Sequence, residues 1–229
     1  MSEKTTESLH REFELERMIL FSDAVFAIAI TLLILEIKFP VIPENFNNVS
    51  VFDFFKPTLI HFFTFMLSFF FIGMSWARHL QLCKFLQQYN NTVIVFNLLL
   101  LFFIVIFPFS VSGFAENMHA SFFVPAIIYI LNIFFVIFAQ FLFVHYILKR
   151  NTVLTISGND DEKKYFYLRS KYNFVMMFSS VVVILGVGII SRGNMISMTA
   201  SLYVLPVFAL IMKMKLKKHK PKKSNNLSL

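Results

Sequence analysis

The chain has 229 residues, of which 57% are hydrophobic, 17% aromatic and 15% charged, with a mean hydropathy of +0.70. Soluble domains average about 45–50% apolar and about 25% charged residues, so a water-soluble fold, a disordered chain and a collagen are all excluded. The lone cysteine, Cys83, removes an intrachain disulfide framework and a cysteine-based metal cluster. A net charge of +8 would suggest nucleic acid if it formed a patch on a soluble domain. Here the basic residues lie between long apolar stretches, so no nucleic-acid partner is expected and an integral membrane protein is.

A spanning helix needs about 20 mostly apolar residues, and lipid forbids unpaired backbone groups. Six segments qualify, at 18–37, 57–77, 92–114, 120–148, 172–191 and 193–212. They are too long for barrel strands and lack a period of two. The expected fold is therefore an all-α integral membrane protein, with residues 1–229 forming one six-helix transmembrane domain that ends in a basic tail, 213–229.

The first segment differs from the rest. Its apolar run continues to Leu35 and offers no small-residue cleavage site, so it is not read as a cleaved signal peptide. Asp23 leaves only 12 uncharged residues before Glu36. Ionisable groups in a span face a bundle interior or a water path, or snorkel to headgroup depth; the residues alone leave both open for Asp23. At 100° per residue, steps of four and three align Arg17, Phe21, Ala24, Ile28, Thr31, Leu35 and Lys38 on one side. That stripe is mostly apolar, with one hydroxyl near mid-membrane and a cation at each end. Ser22 and Asp23 point elsewhere, toward neighbouring helices, and Ala24 and Ala27, with Ala29 nearby, form a small-residue seam. Taken alone, the stripe is explained by ordinary helix packing.

The second segment carries His61 and ends near Trp76 and His79, and the third carries Asn97 and Pro108-Phe109. In the fourth lie Pro125, Asn132, Gln140 and His145. His61, Asn132, Gln140 and His145 read as interhelical hydrogen-bonding groups, and Pro125 and Pro206 as kinks or helix starts. The polar stretch 150–171 is barely a loop, and only Arg192 and Gly193 separate the fifth and sixth segments, which predicts a tight hairpin.

Lys and Arg fix the orientation. With the amino terminus inside, eighteen of the 21 fall on the inner side, seven of them between Lys213 and Lys223, against Lys38, Lys56 and Arg192 outside. Both termini are thus expected in the cytoplasm. The tail is expected to touch anionic lipid headgroups.

Arg17-x-x-x-Phe21-Ser22-Asp23, followed by Ala-Val-Phe-Ala-Ile-Ala-Ile-Thr-Leu-Leu, resembles the signature of the transmembrane protein 175 potassium channels. Trp76-x-x-His79, Asn97 and Pro108-Phe109 extend the likeness. The resemblance implies a homotetramer in the cell membrane of a bacterium, with the first helices of four chains around a pore that lacks a re-entrant filter loop. No Thr-Val-Gly-Tyr-Gly is present; Gly186-Val187-Gly188 lies mid-span and reads as a packing notch. It further implies that the constriction falls on Ile28, Thr31 and Leu35, the stripe that the helical spacing also picks out. Arg17, Phe21, Ser22 and Asp23 belong, by the same resemblance, to a structural polar network with Trp76, His79 and Asn97.

The expected function is a potassium-permeable cation channel of modest selectivity, with potassium as the permeant ion and neither cofactor nor metal. A secondary transporter with Asp23 as its coupling carboxylate is the alternative, and a membrane scaffold without transport the third. No catalytic constellation supports an enzyme.

Overall fold

The computed structural model describes residues 2–37, 50–117 and 124–190, together with 214 and 216. Among these residues the secondary structure is helical, without strands, and five segments are long and apolar enough to cross a membrane. The sixth expected span, 193–212, its hairpin with the fifth and most of the basic tail lie outside the described residues.

Helix α1 spans Ser2–Leu32 and continues as a 3-10 turn, Leu33–Glu36. Its apolar stretch, Phe13–Glu36, has 24 residues, or about 36 Å of helix against a hydrocarbon core of about 30 Å. Helix α2 spans Val51–Cys83. Helix α3, Asn91–Val105, starts where the side chain of Asn90 accepts a hydrogen bond from the Val93 N–H at 3.0 Å, an asparagine N-cap. It breaks at Ile106, and α4 resumes over Phe107–Glu116 with Pro108 in its first turn. Proline has no N–H to give the preceding turn, so the third expected span is two helices joined at that residue.

Helix α5, Val124–His145, carries Pro125 at its start, where a missing N–H costs nothing, and ends in a π-helical turn, Tyr146–Arg150. Helix α6 spans Asp160–Ile190. It begins twelve residues before the expected fifth span and takes up much of the stretch read as a loop. Asp160, Asp161 and Glu162 fill its first turn, where carboxylates complement the positive helix end.

The described chain forms two compact units. In the first, residues 1–84 and 88–136, α1 packs against α2 and α3, and the 3-10 turn against α2 and α4. Phe26, Leu33, Ile72, Leu100, Ile104 and Phe107 are buried there. Stacked rings tie the helices together: Phe71 with Phe107 at 5.2 Å and Phe103 with Phe135 at 5.0 Å. In the second unit, residues 85–87 and 137–229, Phe141 stacks on Phe174 at 4.8 Å. There the segment 85–87 pairs with the α5–α6 connection, through Gln87 N–H to Leu154 C=O (2.8 Å) and Ile156 N–H to Phe85 C=O (3.0 Å). Many of the remaining phenylalanines, including Phe62, Phe63 and Phe70 on α2, are exposed. In lipid this carries no hydrophobic penalty.

Candidate functional site on the first helix

Helix α1 presents two different faces. Leu15, Ser22, Phe26 and Ala29 are buried, and Leu33 continues their side into the 3-10 turn. On the opposite side Arg17, Phe21, Ala24, Ile28, Thr31 and Leu35 are exposed, Ile28 at 58% and Leu35 at 70%. The exposed face is wider than the expected stripe, since Leu20, Ala27, Leu32 and Ile34 join it. Of the small-residue seam Ala29 is buried, whereas Ala24 and Ala27 are exposed. The Thr31 hydroxyl donates to the Ile28 carbonyl of its own helix at 2.9 Å. That bond uses the only proton of the group and leaves its oxygen lone pairs as acceptors.

The buried face is joined to α2 and α3 by a chain of hydrogen bonds. The Ser22 hydroxyl donates to the Met18 carbonyl (2.9 Å) and accepts from Asn97 Nδ2 (2.8 Å). Asn97 Oδ1 in turn lies 2.8 Å from His79 Nε2. A carbonyl oxygen only accepts, so the network requires the proton on Nε2 and leaves Nδ1 as an acceptor. Cys83 Sγ, 3.8 Å from Nδ1, supplies a weak donor to it. Ser22, His79 and Asn97 are each no more than 1% exposed. Phe26 covers the imidazole, with ring centroids 5.7 Å apart. At the edge of this cluster Trp76 Nε1 donates to Asp23 Oδ1 at 2.7 Å.

The seven residues of the expected network thus divide. Ser22, His79 and Asn97 share one buried chain, Trp76 and Asp23 make a second contact beside it, and Arg17 and Phe21 are exposed and outside both. Further polar contacts were not legible beforehand. Tyr129 bonds to Ser68 at 3.0 Å across 61 residues of sequence, and Asn132 Nδ2 donates to Ser110 Oγ at 3.1 Å. Cys83 had a signal in its i+4 spacing from His79, whereas nothing in the sequence links Ser68 to Tyr129. His61 Nδ1 meets the Glu36 carbonyl at 3.4 Å, and His145 Nδ1 the Tyr167 hydroxyl at 3.1 Å. Near the start of the apolar stretch, Tyr89 donates to the Glu14 carboxylate at 2.9 Å. That bond, followed by partial burial, raises the Tyr89 pKa above the ordinary tyrosine value.

Residues 17–108, which contain both faces of this helix and the hydrogen-bonded chain, match the family model described as endosomal/lysosomal potassium channel TMEM175. A potassium channel of Chryseobacterium sp. is 32% identical over 111 residues, 46% of this chain and 54% of the relative. One of Chamaesiphon minutus is 37% identical over 105 residues, 45% of this chain and 50% of the relative. The chain spans about half the length of these relatives in the matched regions. The crystal structure of a lysosomal potassium-selective channel TMEM175 homolog from Chamaesiphon minutus superposes with a TM-score of 0.67 at 22% identity, covering 89% of this chain and 98% of that one. The potassium channel MtTMEM175, solved with a nanobody fusion, gives 0.63 at 19% identity, covering 89% and 94%. At such identities these two likenesses establish the fold.

Proposed function

We propose that this chain is a multi-pass membrane protein of the TMEM175 family and that it forms a potassium-permeable cation channel whose pore is lined by α1. The observation that carries the proposal is the division of α1 into two faces. One is locked into the protomer by apolar packing and a fully engaged hydrogen-bond chain; the other presents Ile28, Thr31 and Leu35 to the outside. Four copies arranged about an axis would turn that second face into the wall of a conduit. The matched segment 17–108 contains it whole.

In this reading a ring of Ile28 side chains makes an apolar neck that gates by dewetting and strips water from a passing ion. The Thr31 ring follows within one helical turn. Because each hydroxyl proton is spent on the Ile28 carbonyl, the ring offers lone pairs, the polarity a cation needs. Potassium holds its hydration shell less tightly than sodium, so partial replacement by a few hydroxyls favours potassium. Leu35 forms a second apolar ring. Arg17 and Phe21 flank the conduit at its inner end, while Ser22, Asp23, Trp76, His79 and Asn97 hold the helix at a fixed rotation. No cofactor takes part; potassium is the permeant species. The protein belongs, in this reading, to a bacterial cell membrane with both termini inside, as a homotetramer.

The transporter alternative requires a carboxylate that is free to bind and release a coupling ion. Asp23 is instead engaged by the Trp76 indole, to one side of the exposed stripe. Thr31→Val keeps the shape of the side chain and removes its oxygen. In reconstituted bilayers it is expected to move the potassium-to-sodium permeability ratio toward unity while conduction persists. An unchanged ratio would remove Thr31 from the filter.

A further inference from the structure

Where α5 ends and α6 begins, the chain folds back over a cavity of about 310 Å3. Its wall includes Lys149 on the π-helical turn, Thr152 on the connection, and Lys163, Lys164 and Tyr167 on α6. The connection is fixed in shape. Gly158 and Asn159 take left-handed backbone conformations, φ 93° and 56°, that reverse the chain. The Lys163 ammonium donates to the Ile156 carbonyl and lies 3.8 Å from the Asp160 carboxylate. Lys163 is thereby spent on holding the turn, and it offsets Asp160, the one acid among the described lining residues.

Among the described lining residues two cations, Lys149 and Lys164, form no ion pair, since Asp160 lies against Lys163. The neighbouring acids, Asp161 and Glu162, are exposed and do not line it. Lys149 is held by a cation–π contact, its ammonium 5.3 Å from the centre of the Tyr167 ring. The cavity lies where the ends of the two apolar stretches, Val124–Arg150 and Asp160–Val187, meet their polar connection, the part of a spanning helix that reaches the headgroups. Leu148 and Leu168 line the same space. Cations and a hydroxyl beside an apolar wall at headgroup depth suit an amphiphile with an anionic phosphate better than a fully soluble anion.

We propose that this cavity binds the phosphate of an anionic phospholipid headgroup on Lys149, Lys164 and the Thr152 hydroxyl, with the adjoining glycerol and acyl carbons against Leu148 and Leu168. None of the residues named for the site belongs to the basic tail, and the proposal stands whether or not the chain conducts ions.

The test is native mass spectrometry of the full chain released from phosphatidylcholine nanodiscs and titrated with phosphatidylglycerol. The wild type is expected to retain one phosphatidylglycerol per chain, and Lys149→Gln/Lys164→Gln to need roughly tenfold more lipid for the same occupancy. Lys149→Arg/Lys164→Arg should bind like the wild type, which separates loss of charge from loss of fold, and so should the tail variant Lys217→Gln/Lys218→Gln. Equal retention by the glutamine variant, or loss confined to the tail variant, would overturn the site. Displacement of the lipid by equimolar glycerol 1-phosphate or inorganic phosphate would overturn the lipid as its occupant.

Discussion

Asn97 is the residue on which three helices meet, since its amide receives from His79 on α2 and gives to Ser22 on α1. An interhelical hydrogen bond within a membrane contributes about 0.6 kcal/mol on average, and a buried polar group left without a partner costs about 1–3 kcal/mol. Asn97→Ala removes two bonds and strands the His79 donor, so it should destabilise the protein by about 2 kcal/mol, read as a lowered unfolding midpoint in detergent. Ser22→Ala also removes two bonds, to the Met18 carbonyl and from Asn97 Nδ2, and strands the Asn97 donor, so it should cost a similar amount. Tyr89 behaves differently because it lies outside the spans. Its phenol donates to Glu14, and its folded pKa is raised above the unfolded one. The protonated form is therefore the stabilised one. Its contribution is complete below the ordinary tyrosine value of about 10 and disappears as pH rises through the raised one. Tyr89→Phe should abolish that alkaline loss in a pH series of unfolding midpoints.

At the scale of the element, α1 is anchored on one side among the described residues. Leu33, with no exposed surface, sets the 3-10 turn against α2 and α4. Leu33→Ala should therefore cost about 2–4 kcal/mol by opening a cavity. Ile28→Ala and Leu35→Ala, on the open face, should change stability by no more than about 0.5 kcal/mol, while Ile28→Ala widens the neck and raises conductance. Equal destabilisation by all three in thermal unfolding would mean that the exposed face is packed, not open to a conduit. The helical period of α1 was legible because its polar pair, Ser22 and Asp23, stands opposite an unbroken three-and-four stripe. The partners of that pair were legible only through resemblance, since Asn97 lies 75 residues from Ser22 and no local pattern joins them. Helix ends were read less well. The amphipathic start of α6 at Asp160 was hidden because hydropathy marks the lipid-facing part of a helix and not its polar turns in the aqueous interface. Likewise the break at Ile106 lies inside a continuous apolar run, where only Pro108 signals that the backbone must change.

For the whole molecule, a bundle of apolar helices in lipid has no hydrophobic force to hold it together, so packing and buried hydrogen bonds must do so. The described helices meet that need within each compact unit through stacked rings and, in the first, the Ser22–Asn97–His79 chain, and among the described residues one face of α1 stays exposed. Composition and the placement of Lys and Arg carried the fold class and the proposed orientation, because both are set by the bilayer itself and need no knowledge of contacts. The assembly that would close a conduit is a property of several chains, and one sequence carries it only as an unburied stripe. The central claim is that α1 of several copies filters cations at Ile28 and Thr31. The most direct measurement is the reversal potential of the purified protein in a planar bilayer under opposed potassium and sodium gradients, with Ile28→Ala and Thr31→Val alongside. Reversal displaced toward the potassium potential in the wild type, and moved away from it by Thr31→Val, is the expected result. Silent bilayers, or slow saturable flux indifferent to both substitutions, would contradict it.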